Sequence, residues 1–536
     1  MDFRRSKYFY NKGIVLCLLL LCLFLDGHVA FGKGLEKVPA LIPMPQKIVW
    51  NGQKYSTDQQ LSSGIFKLGP VYAEHMVFQQ NHPVEISGKA GMNDQIKVVF
   101  AQQTSRCTTG PDGIWKLSLP KILAGGPYPL QISVNGKIVI DWKDILVGEV
   151  WFCSGQSNMQ FRLDQSENGR EEAGKASDND LRIMNYCGIV ETSDIVWDSA
   201  TLAKISKFRY FEGTWQKSCP AEAAGFSAIA WYFGKKLREK LHVPVGLIQV
   251  TVGGAPAESF IDRGTINKQP RLSSVLTDWF SNDLVMDWCR QRAQKNISLQ
   301  SNSLQRHPFM PSYIFDAGIS AFVGFPVRGV IFYQGESNAH NAEYYEVVFP
   351  ELIKAWRAFW NNPELPFYFA QLSSIQRPGW EIFRDMQRKM AGVIPYTAMV
   401  VTSDLGDSMN VHPVRKREVG IRFADLALHN LYGDAYSPLS PELASVEKHE
   451  GSLILTFAHA KEMKTSDGAS PREIEVAGKD GLFKTVQTKI TGNKIIAETK
   501  GLDPLVIRYG WRPFSRGNLA NEANLPLSTF KYSFNN

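Results

Sequence analysis

The sequence predicts an α/β protein whose parallel sheet is covered by helices on both faces and flanked by two β-rich regions. Two observations lead to this fold class. Between about residues 146 and 435, continuous apolar runs alternate with helical patterns, which is typical of buried parallel strands connected by helices. On either side of that stretch, short β-type runs are separated by turn signals. At 536 residues the chain is also too long for one domain, and three are expected.

The first 32 residues are typical of a secretory signal peptide. They begin with a basic segment, continue with an apolar run over 14–25, and end in a small-x-small cleavage pattern at 30–32. The apolar run is shorter than a comfortable membrane span, so an uncleaved anchor is the weaker alternative. We therefore expect 1–32 to be removed, a secreted or periplasmic location, and no membrane association afterwards.

Two β-rich domains are predicted to flank the core. Residues 33–145 contain runs such as QIKVVF and the hairpin signal Asn135-Gly136, which favour an antiparallel sandwich. Residues 436–536 return to β-type runs such as EIEVAG and LVIRYGW. Within the core domain, 146–435, the polar and Gln/Asn/Ser-rich stretch at about 263–312 interrupts the alternation. We interpret that stretch as an insertion or a long lid.

Composition and charge exclude several classes of function. The chain is 44% hydrophobic and 21% charged, as in ordinary globular proteins. Its formal charge of +7 falls to +5 without the first 32 residues, and no basic run with interleaved aromatics suggests a nucleic-acid partner. Of seven cysteines, five lie outside the signal, scattered and without a CxxC or Cys/His cluster. We expect at most one or two incidental disulfides, and neither a metal nor an organic cofactor.

Polar clusters follow four of the predicted core strands. GQSN follows 149–153, GGAPAES follows 245–252, QGESN follows 329–333, and SDLGDSMNVHP follows 397–402. In a parallel sheet the carboxyl ends of the strands lie along one edge, and ligands bind outside that edge. The four clusters are therefore expected to form a single site.

The residues of these clusters fit the requirements of serine-dependent ester cleavage. Ser157 taken alone is a turn serine, but a serine nucleophile needs an imidazole to take its proton, and His412 supplies one. Gly253-Gly254 lets backbone approach a substrate, and Gln334 or Asn338 offers an amide to the oxyanion. From these residues alone we infer a serine ester hydrolase.

Four motifs resemble a known family, block for block and in order. VGEVWFCSGQSNM, VTVGGAPAESFID, GVIFYQGESNA and DLGDSMNVHPVRKREVGIRFA are similar to the sialate O-acetylesterases of the SGNH hydrolase superfamily. The resemblance implies a flavodoxin-like core and a cofactor-independent serine esterase that removes O-acetyl groups from sugars, sialic acid first among them. It also implies that Ser157 is the nucleophile and His412 the base, with Ser157, Gly254 and Gln334 as oxyanion donors. Glu336 is expected to hold its loop in place, with Asn338 as a further supporting residue.

The residue that orients His412 is less evident. Superfamily members commonly place an Asp three residues before the histidine, and Met409 stands there. The resemblance favours Asp404, which matches the family's Asp-x-Gly pattern. The other candidates are Asp407, Asn410 or a backbone carbonyl.

Two alternative functions stay open at this stage. An esterase of the same class could act on acetylated xylan or another hemicellulose instead of sialic acid, because fold does not determine substrate. A non-catalytic carbohydrate-binding protein with a degenerate hydrolase core would explain Met409. The joint presence of Ser157, Gly254, Gln334 and His412 argues against it.

Overall fold

The computed structural model describes residues 58–61, 64–435 and 439–534, so the predicted signal peptide at 1–32 lies outside the described residues. All of these residues fall within one compact unit that spans 51–536. Over the described ranges, no helix is long and apolar enough to cross a membrane.

The N-terminal region consists of two sheets whose strands alternate buried and accessible residues, as in Ile114–Leu119. One sheet has the order β1-β2-β4-β7 and is antiparallel; in the other, β5 pairs with β6 and β8, and β8 pairs with β9. An exception to the predicted antiparallel pattern is β3, which is parallel to β9. The strands are β1 (Asp58–Leu61), β2 (Gly64–Leu68), β3 (Val77–Gln79), β4 (Val84–Lys89), β5 (Gln95–Phe100), β6 (Gln103–Thr108), β7 (Ile114–Leu119), β8 (Gly125–Val134) and β9 (Lys137–Gly155).

Strand β9 continues from the N-terminal region into the core. Its first half pairs with β8, whereas residues from Glu149 onwards pair with core strands. From Ile145 to Gly155 every residue is buried, as expected for a strand covered on both faces. The domain boundary at 145/146 stays a prediction, and a single strand passes through it.

The core is a sheet of order β13-β10-β14-β9-β15-β16-β17, parallel throughout except for the edge strand β13. Its further strands are β10 (Asp178–Asn185), β11 (Cys187–Gly188), β12 (Phe211–Glu212), β13 (Trp215–Ser218), β14 (Val245–Thr251), β15 (Gly329–Tyr333), β16 (Phe367–Ala370) and β17 (Thr397–Val400), of which β11 and β12 form a separate pair. The helices are α1 (Ser157–Gln160), α2 (Gly169–Gly174), α3 (Ser199–Ser206), α4 (Pro220–Ala224), α5 (Ala228–Leu241), α6 (Arg263–Lys268), α7 (Pro270–Ser273), α8 (Asp287–Asn296), α9 (Tyr313–Ala317), α10 (Ala342–Phe359), α11 (Trp380–Val393) and α12 (Arg417–Tyr432).

Helices cover both faces of this sheet. Trp151 and Phe152 are neighbours on β9, so their side chains point to opposite faces. Trp151 packs against Phe233 of α5, with ring centroids 4.9 Å apart, and Phe152 packs against Trp356 of α10 at 5.5 Å. The predicted mixed α/β architecture is therefore confirmed, and within the described residues the core strands belong to a larger mixed sheet of 11 strands.

The stretch predicted as an insertion or lid, 263–312, contains three of these helices. Helices α6, α7 and α8 all lie within it. In α8, Cys289 and Ala293 are buried, which fixes this helix against the core.

The C-terminal strands form three antiparallel sheets around a hydrophobic cluster of their own. Arg384 of α11 anchors this region to the core: it is buried and donates to the backbone carbonyls of Gly510, Arg512 and Pro513. The strands are β18 (Glu442–His449), β19 (Ser452–Ala458), β20 (Met463–Thr465), β21 (Ile474–Ala477), β22 (Lys484–Thr485), β23 (Thr488–Thr491), β24 (Lys494–Glu498), β25 (Val506–Tyr509), β26 (Leu519–Asn521) and β27 (Phe530–Ser533).

The five cysteines within the described residues are all unpaired. They are Cys107, Cys153, Cys187, Cys219 and Cys289. Stability of the described part of the chain therefore rests on packing and hydrogen bonds.

Candidate active site

The ends of three adjacent strands bring the predicted polar clusters together. Gly155 of β9 is paired with Thr251 of β14 on one side and with Tyr333 of β15 on the other, so the loops that follow start at the same level. A cavity of about 960 Å³ opens at this edge, and Ser157 and His412 line it. The expectation that the clusters share one edge of a parallel sheet is confirmed.

A tight turn presents Ser157 to this cavity. Gly155 has φ +137°, and a Cβ there would overlap the carbonyl of Tyr333, so the turn requires glycine. The Gln156 N–H donates to that same carbonyl at 3.0 Å. Ser157 then begins the short helix α1, which leaves its hydroxyl at the cavity wall.

His412 lies within hydrogen-bond distance of this hydroxyl. Its Nε2 is 2.8 Å from Oγ of Ser157, although the two residues are 255 positions apart in the chain. For Nε2 to accept the serine proton, the other ring proton has to be on Nδ1. Burial lowers the pKa of His412, and the positive charges of Lys416 and Arg377 lower it further. The imidazole is therefore neutral, and able to act as a base, at pH 7.

Hydrogen bonds between side chains and backbone N–H groups two or three residues away fix the conformation of the loop that contains His412. Asp407 accepts from the N–H groups of Met409 and Asn410, and Asn410 accepts from the N–H of His412. Met409, at the position where superfamily members commonly have Asp, is 86% exposed. Across the described chain, no side chain or carbonyl is hydrogen-bonded to Nδ1 of His412.

Asp404 does not contact His412, contrary to the expectation from sequence. Both of its carboxylate oxygens accept from the guanidinium of Arg422 on α12, at 2.8 and 2.7 Å. A bidentate pair of this kind engages both oxygens of the carboxylate. The structure therefore gives Asp404 the role of fixing its loop to α12 and leaves Ser157 and His412 as a dyad.

Two backbone N–H groups are placed to stabilise an oxyanion. Neither Ser157 nor Gly254 has an acceptor for its N–H within the described part of the chain, and both line the cavity. Gly254 has φ +75°, and a Cβ there would lie 2.6 Å from the ring of Trp288, so a side chain is excluded at this point. Ser157 and Gly254 therefore lie where the predicted oxyanion donors are expected.

Gln334, the predicted side-chain donor, does not reach the cavity. It is buried, and its amide nitrogen donates to the Ala255 carbonyl at 3.2 Å and to Oδ1 of Asn338 at 2.7 Å. An amide has only two hydrogens, and both are used. Asn338 in turn accepts from Ala257 and donates to Glu258. Gln334 and Asn338 therefore hold the Gly254 loop from behind, which corrects the prediction for Gln334.

Gln156 is the cavity-lining amide that the sequence analysis missed. Its Oε1 accepts from the N–H groups of Ser337 and Gly335, at 3.3 and 3.5 Å. This fixes which end of the amide faces that loop, and its Nε2 has no acceptor over the described ranges. The sequence signal for a role of Gln156 in the site is its position directly before Ser157 in GQSN.

Other side chains shape the cavity around the dyad. Glu336 lines it, is nearly buried, and accepts from Asn158, and burial raises its pKa. The helix α8 contributes Trp288 and Arg292, whose guanidinium lies 5.8 Å from the centre of the indole ring. The predicted insertion thus supplies one wall of the site.

Acidic, histidine and cysteine side chains are the usual protein ligands of metal ions. Within the described residues, no group of three or more of these side chains is arranged to hold a metal ion.

Comparison with known proteins connects this geometry to a family. The family model described as "Carbohydrate esterase, sialic acid-specific acetylesterase" matches residues 315–429, which include Glu336 and His412. The sialate O-acetylesterases of Mus musculus and Homo sapiens are 26% and 27% identical over 404 and 392 residues, covering 67% and 66% of this chain and 71% and 68% of theirs. The chain is similar in sequence to sialic acid-specific acetylesterases, and it is a carbohydrate esterase.

A solved structure supports the same assignment for this carbohydrate esterase. A carbohydrate acetylesterase from Xanthomonas citri is 28% identical, with a TM-score of 0.72, and the match covers 87% of this chain and 99% of that one. The likeness therefore extends over both flanking β regions as well as the esterase core. In this carbohydrate acetylesterase, Ser157 and His412 meet at the sheet edge that the strand pattern predicts.

Proposed function

We propose that this esterase is a secreted enzyme that removes O-acetyl groups from sialic acids through a serine acyl-enzyme. The observation that carries the mechanism is the 2.8 Å contact between Nε2 of His412 and Oγ of Ser157. The finer fold assignment, a flavodoxin-like core of the SGNH superfamily, is part of the same proposal. It is supported by the order of the Ser157, Gly254 and His412 loops along the parallel sheet.

Each step of the reaction can be assigned to a residue. His412 takes the Ser157 proton while Oγ bonds to the acetyl carbonyl carbon, and the N–H groups of Ser157 and Gly254 and the Gln156 amide face the developing oxyanion. The C–O bond to the sugar then breaks, and His412 returns the proton to the leaving hydroxyl. Water then attacks the acetyl carbon while His412 takes its proton. The bond between that carbon and Oγ breaks, acetate leaves, and His412 returns the proton to Oγ of Ser157.

The charge of the cavity supports an anionic sugar as substrate. Sialic acid carries a carboxylate, and the mammalian relatives are named as sialate O-acetylesterases. Arg377 lines the cavity and is exposed, and among the described residues it forms no salt bridge; its guanidinium lies 5.8 Å from the centre of the Trp380 ring. Arg162, in contrast, is paired with Asp164 at 2.6 Å. We therefore assign Arg377 to the sialate carboxylate.

Secretion rests on the basic, apolar and small-x-small pattern of the first 32 residues. Expression of the full chain in a bacterial host, followed by mass spectrometry of the exported protein, tests it. A mature N-terminus near residue 33 is expected, and an intact N-terminus in the cell pellet would contradict the proposal.

A panel of substrates tests the enzyme and its sugar together. Acetate release is measured from O-acetylated sialic acid, acetylated xylo-oligosaccharides and a simple acetyl ester, with Ser157→Ala in parallel. We expect the highest kcat/KM on the sialate and a loss of about 10⁴-fold or more in Ser157→Ala on every substrate. A higher kcat/KM on the xylo-oligosaccharide would indicate that the substrate is an acetylated hemicellulose and not a sialic acid. An unaffected Ser157→Ala would instead support the carbohydrate-binding alternative.

A further inference from the structure

A buried lysine lies directly behind the catalytic dyad. Lys416 is 1% exposed and immediately precedes α12, four positions after His412. Its ammonium donates to Oδ1 of Asn158, the residue that follows the nucleophile, and lies 4.9 Å from the centre of the Phe161 ring. A buried ammonium is costly unless it is bonded, so its presence at this position calls for a reason.

Lys416 fixes the orientation of the Asn158 side chain. An ammonium can only donate hydrogen bonds, so the atom of Asn158 that faces Lys416 has to be the amide oxygen. The amide nitrogen then faces the other way, where it donates to Oε1 of Glu336 and to the carbonyl of Val411. A carbonyl and a carboxylate can only accept, so all the partners of Asn158 require the same orientation.

The Asn158 amide connects the two halves of the dyad. Asn158 is adjacent to Ser157 in the chain, and Val411 is adjacent to His412. A single side chain at 3.0 Å from the Val411 carbonyl therefore joins the nucleophile turn to the base loop. In the described chain His412 has no partner on Nδ1, so its placement depends on contacts made by the backbone around it.

We propose that Lys416 is a positioning residue for His412: by orienting the Asn158 amide, it holds the Val411–His412 backbone against the nucleophile turn. Lys416 and Asn158 thus position the imidazole of His412, which is the role of the acid that superfamily members commonly have at position 409. The inference rests on the proposed serine mechanism and goes beyond it, because it assigns a function to a residue that does not touch the substrate.

The charge of Lys416 has a second effect on the dyad. The charges that act on His412 are those of Lys416 at the start of α12 and Arg377 in the loop after β16. The other charged residues that line the cavity with His412 are Glu336, Arg162, Glu191 and Arg292. Both cations lower the pKa of His412 in addition to burial. Burial lowers the pKa of Lys416 itself to about 7, while the Glu336 charge opposes that change. Removal of the cation should therefore raise the pKa of His412.

Two substitutions separate orientation from charge. Lys416→Met removes both the donor and the charge, whereas Lys416→Gln removes the charge and keeps an N–H donor. The matched control is Arg417→Gln, which removes an exposed cation at the next position. Each purified full-length variant is assayed for kcat, KM and the pH profile of kcat/KM on a simple acetyl ester, with Ser157→Ala alongside and folding checked by circular dichroism.

We expect Lys416→Met to lose about 10- to 100-fold in kcat with little change in KM, because the base is displaced. The acid limb of kcat/KM should move to higher pH in both Lys416 variants and stay in place in Arg417→Gln. A folded Lys416→Met with wild-type kcat and an unmoved limb would overturn the proposal. So would a failure of Lys416→Gln to fold, since Lys416 would then be needed for the fold itself. Wild-type activity in Ser157→Ala would instead refute the serine mechanism.

Discussion

Asp404 is held by Arg422 through both carboxylate oxygens, at 2.8 and 2.7 Å, and not by His412. The pair joins the loop after β17 to α12 near the surface, with Arg422 more buried than Asp404. Asp404 therefore stabilises the structure of the site, whereas the contact between Ser157 and His412 belongs to the reaction itself.

Asp404→Asn should therefore affect stability more than turnover. Partly exposed ion pairs contribute up to about 1 kcal/mol, so we expect a loss of that order in the free energy of unfolding and a kcat within about threefold of wild type. Urea denaturation and steady-state assays measure the two effects. If Asp404→Asn were folded but as inactive as His412→Ala, Asp404 would have to orient the imidazole after all.

Gln156→Met should impair the chemical step. Gln156 lines the cavity beside Ser157, its amide nitrogen has no acceptor over the described ranges, and the loss of one oxyanion donor costs about 10²–10³ in kcat. Gln160→Met is a suitable control, because Gln160 lines the same cavity one helical turn further on. Assays on a simple acetyl ester avoid effects on sugar binding. Equal rates in the two variants would remove Gln156 from the oxyanion site.

Arg377→Met should weaken binding of the sialate selectively. The loss of an unpaired guanidinium that binds a carboxylate is expected to raise KM for O-acetylated sialic acid by about tenfold or more and to leave KM for a neutral acetyl ester unchanged. Arg162→Met provides the comparison, since Arg162 is already paired with Asp164. The assignment fails if both substrates show the same KM ratio between wild type and Arg377→Met.

The pH profile should show an acid limb below about pH 6.5, the ordinary pKa of histidine. Catalysis needs neutral His412, and its lowered pKa means that the neutral form persists to lower pH. Activity is then lost only as the pH falls through that lowered pKa. Measurement of kcat/KM on a simple acetyl ester from pH 4.5 to 8 gives the limb directly. A limb above pH 6.5 would show that the cations near His412 do not act on it as inferred.

The parallel sheet and the main site residues could be predicted because they depend on local patterns. Buried strands are apolar along their whole length, and polar clusters at their carboxyl ends meet by geometry alone. Ser157, Gly254 and His412 follow from such positions. The sequence also contains no acid at 409. The structure shows Met409 exposed, and among the described residues Nδ1 of His412 has no hydrogen-bond partner.

The errors concern side chains whose direction depends on distant partners. The family pattern favours Asp404 because the sequence does not show that Arg422, 18 positions later on α12, binds its carboxylate. Gln334 and Gln156 are both glutamines near strand ends, and only the contacts of Gln334 with Asn338 and Ala255 show that its amide faces inward. Those contacts arise from packing between loops, which no spacing in the sequence encodes.

Strand β9 has a practical consequence for dissecting this enzyme into parts. A fragment that began at residue 146 would start midway along the strand that leads to Ser157, and its first residues, 146–148, would lose their pairing with β3. The strand end exposed by such a cut would include the buried apolar residues Leu146 and Val147, and exposed apolar strand residues promote aggregation. A minimal catalytic fragment should therefore retain the N-terminal strands that pair with β9. A shorter version would need another segment to pair with β9 in their place.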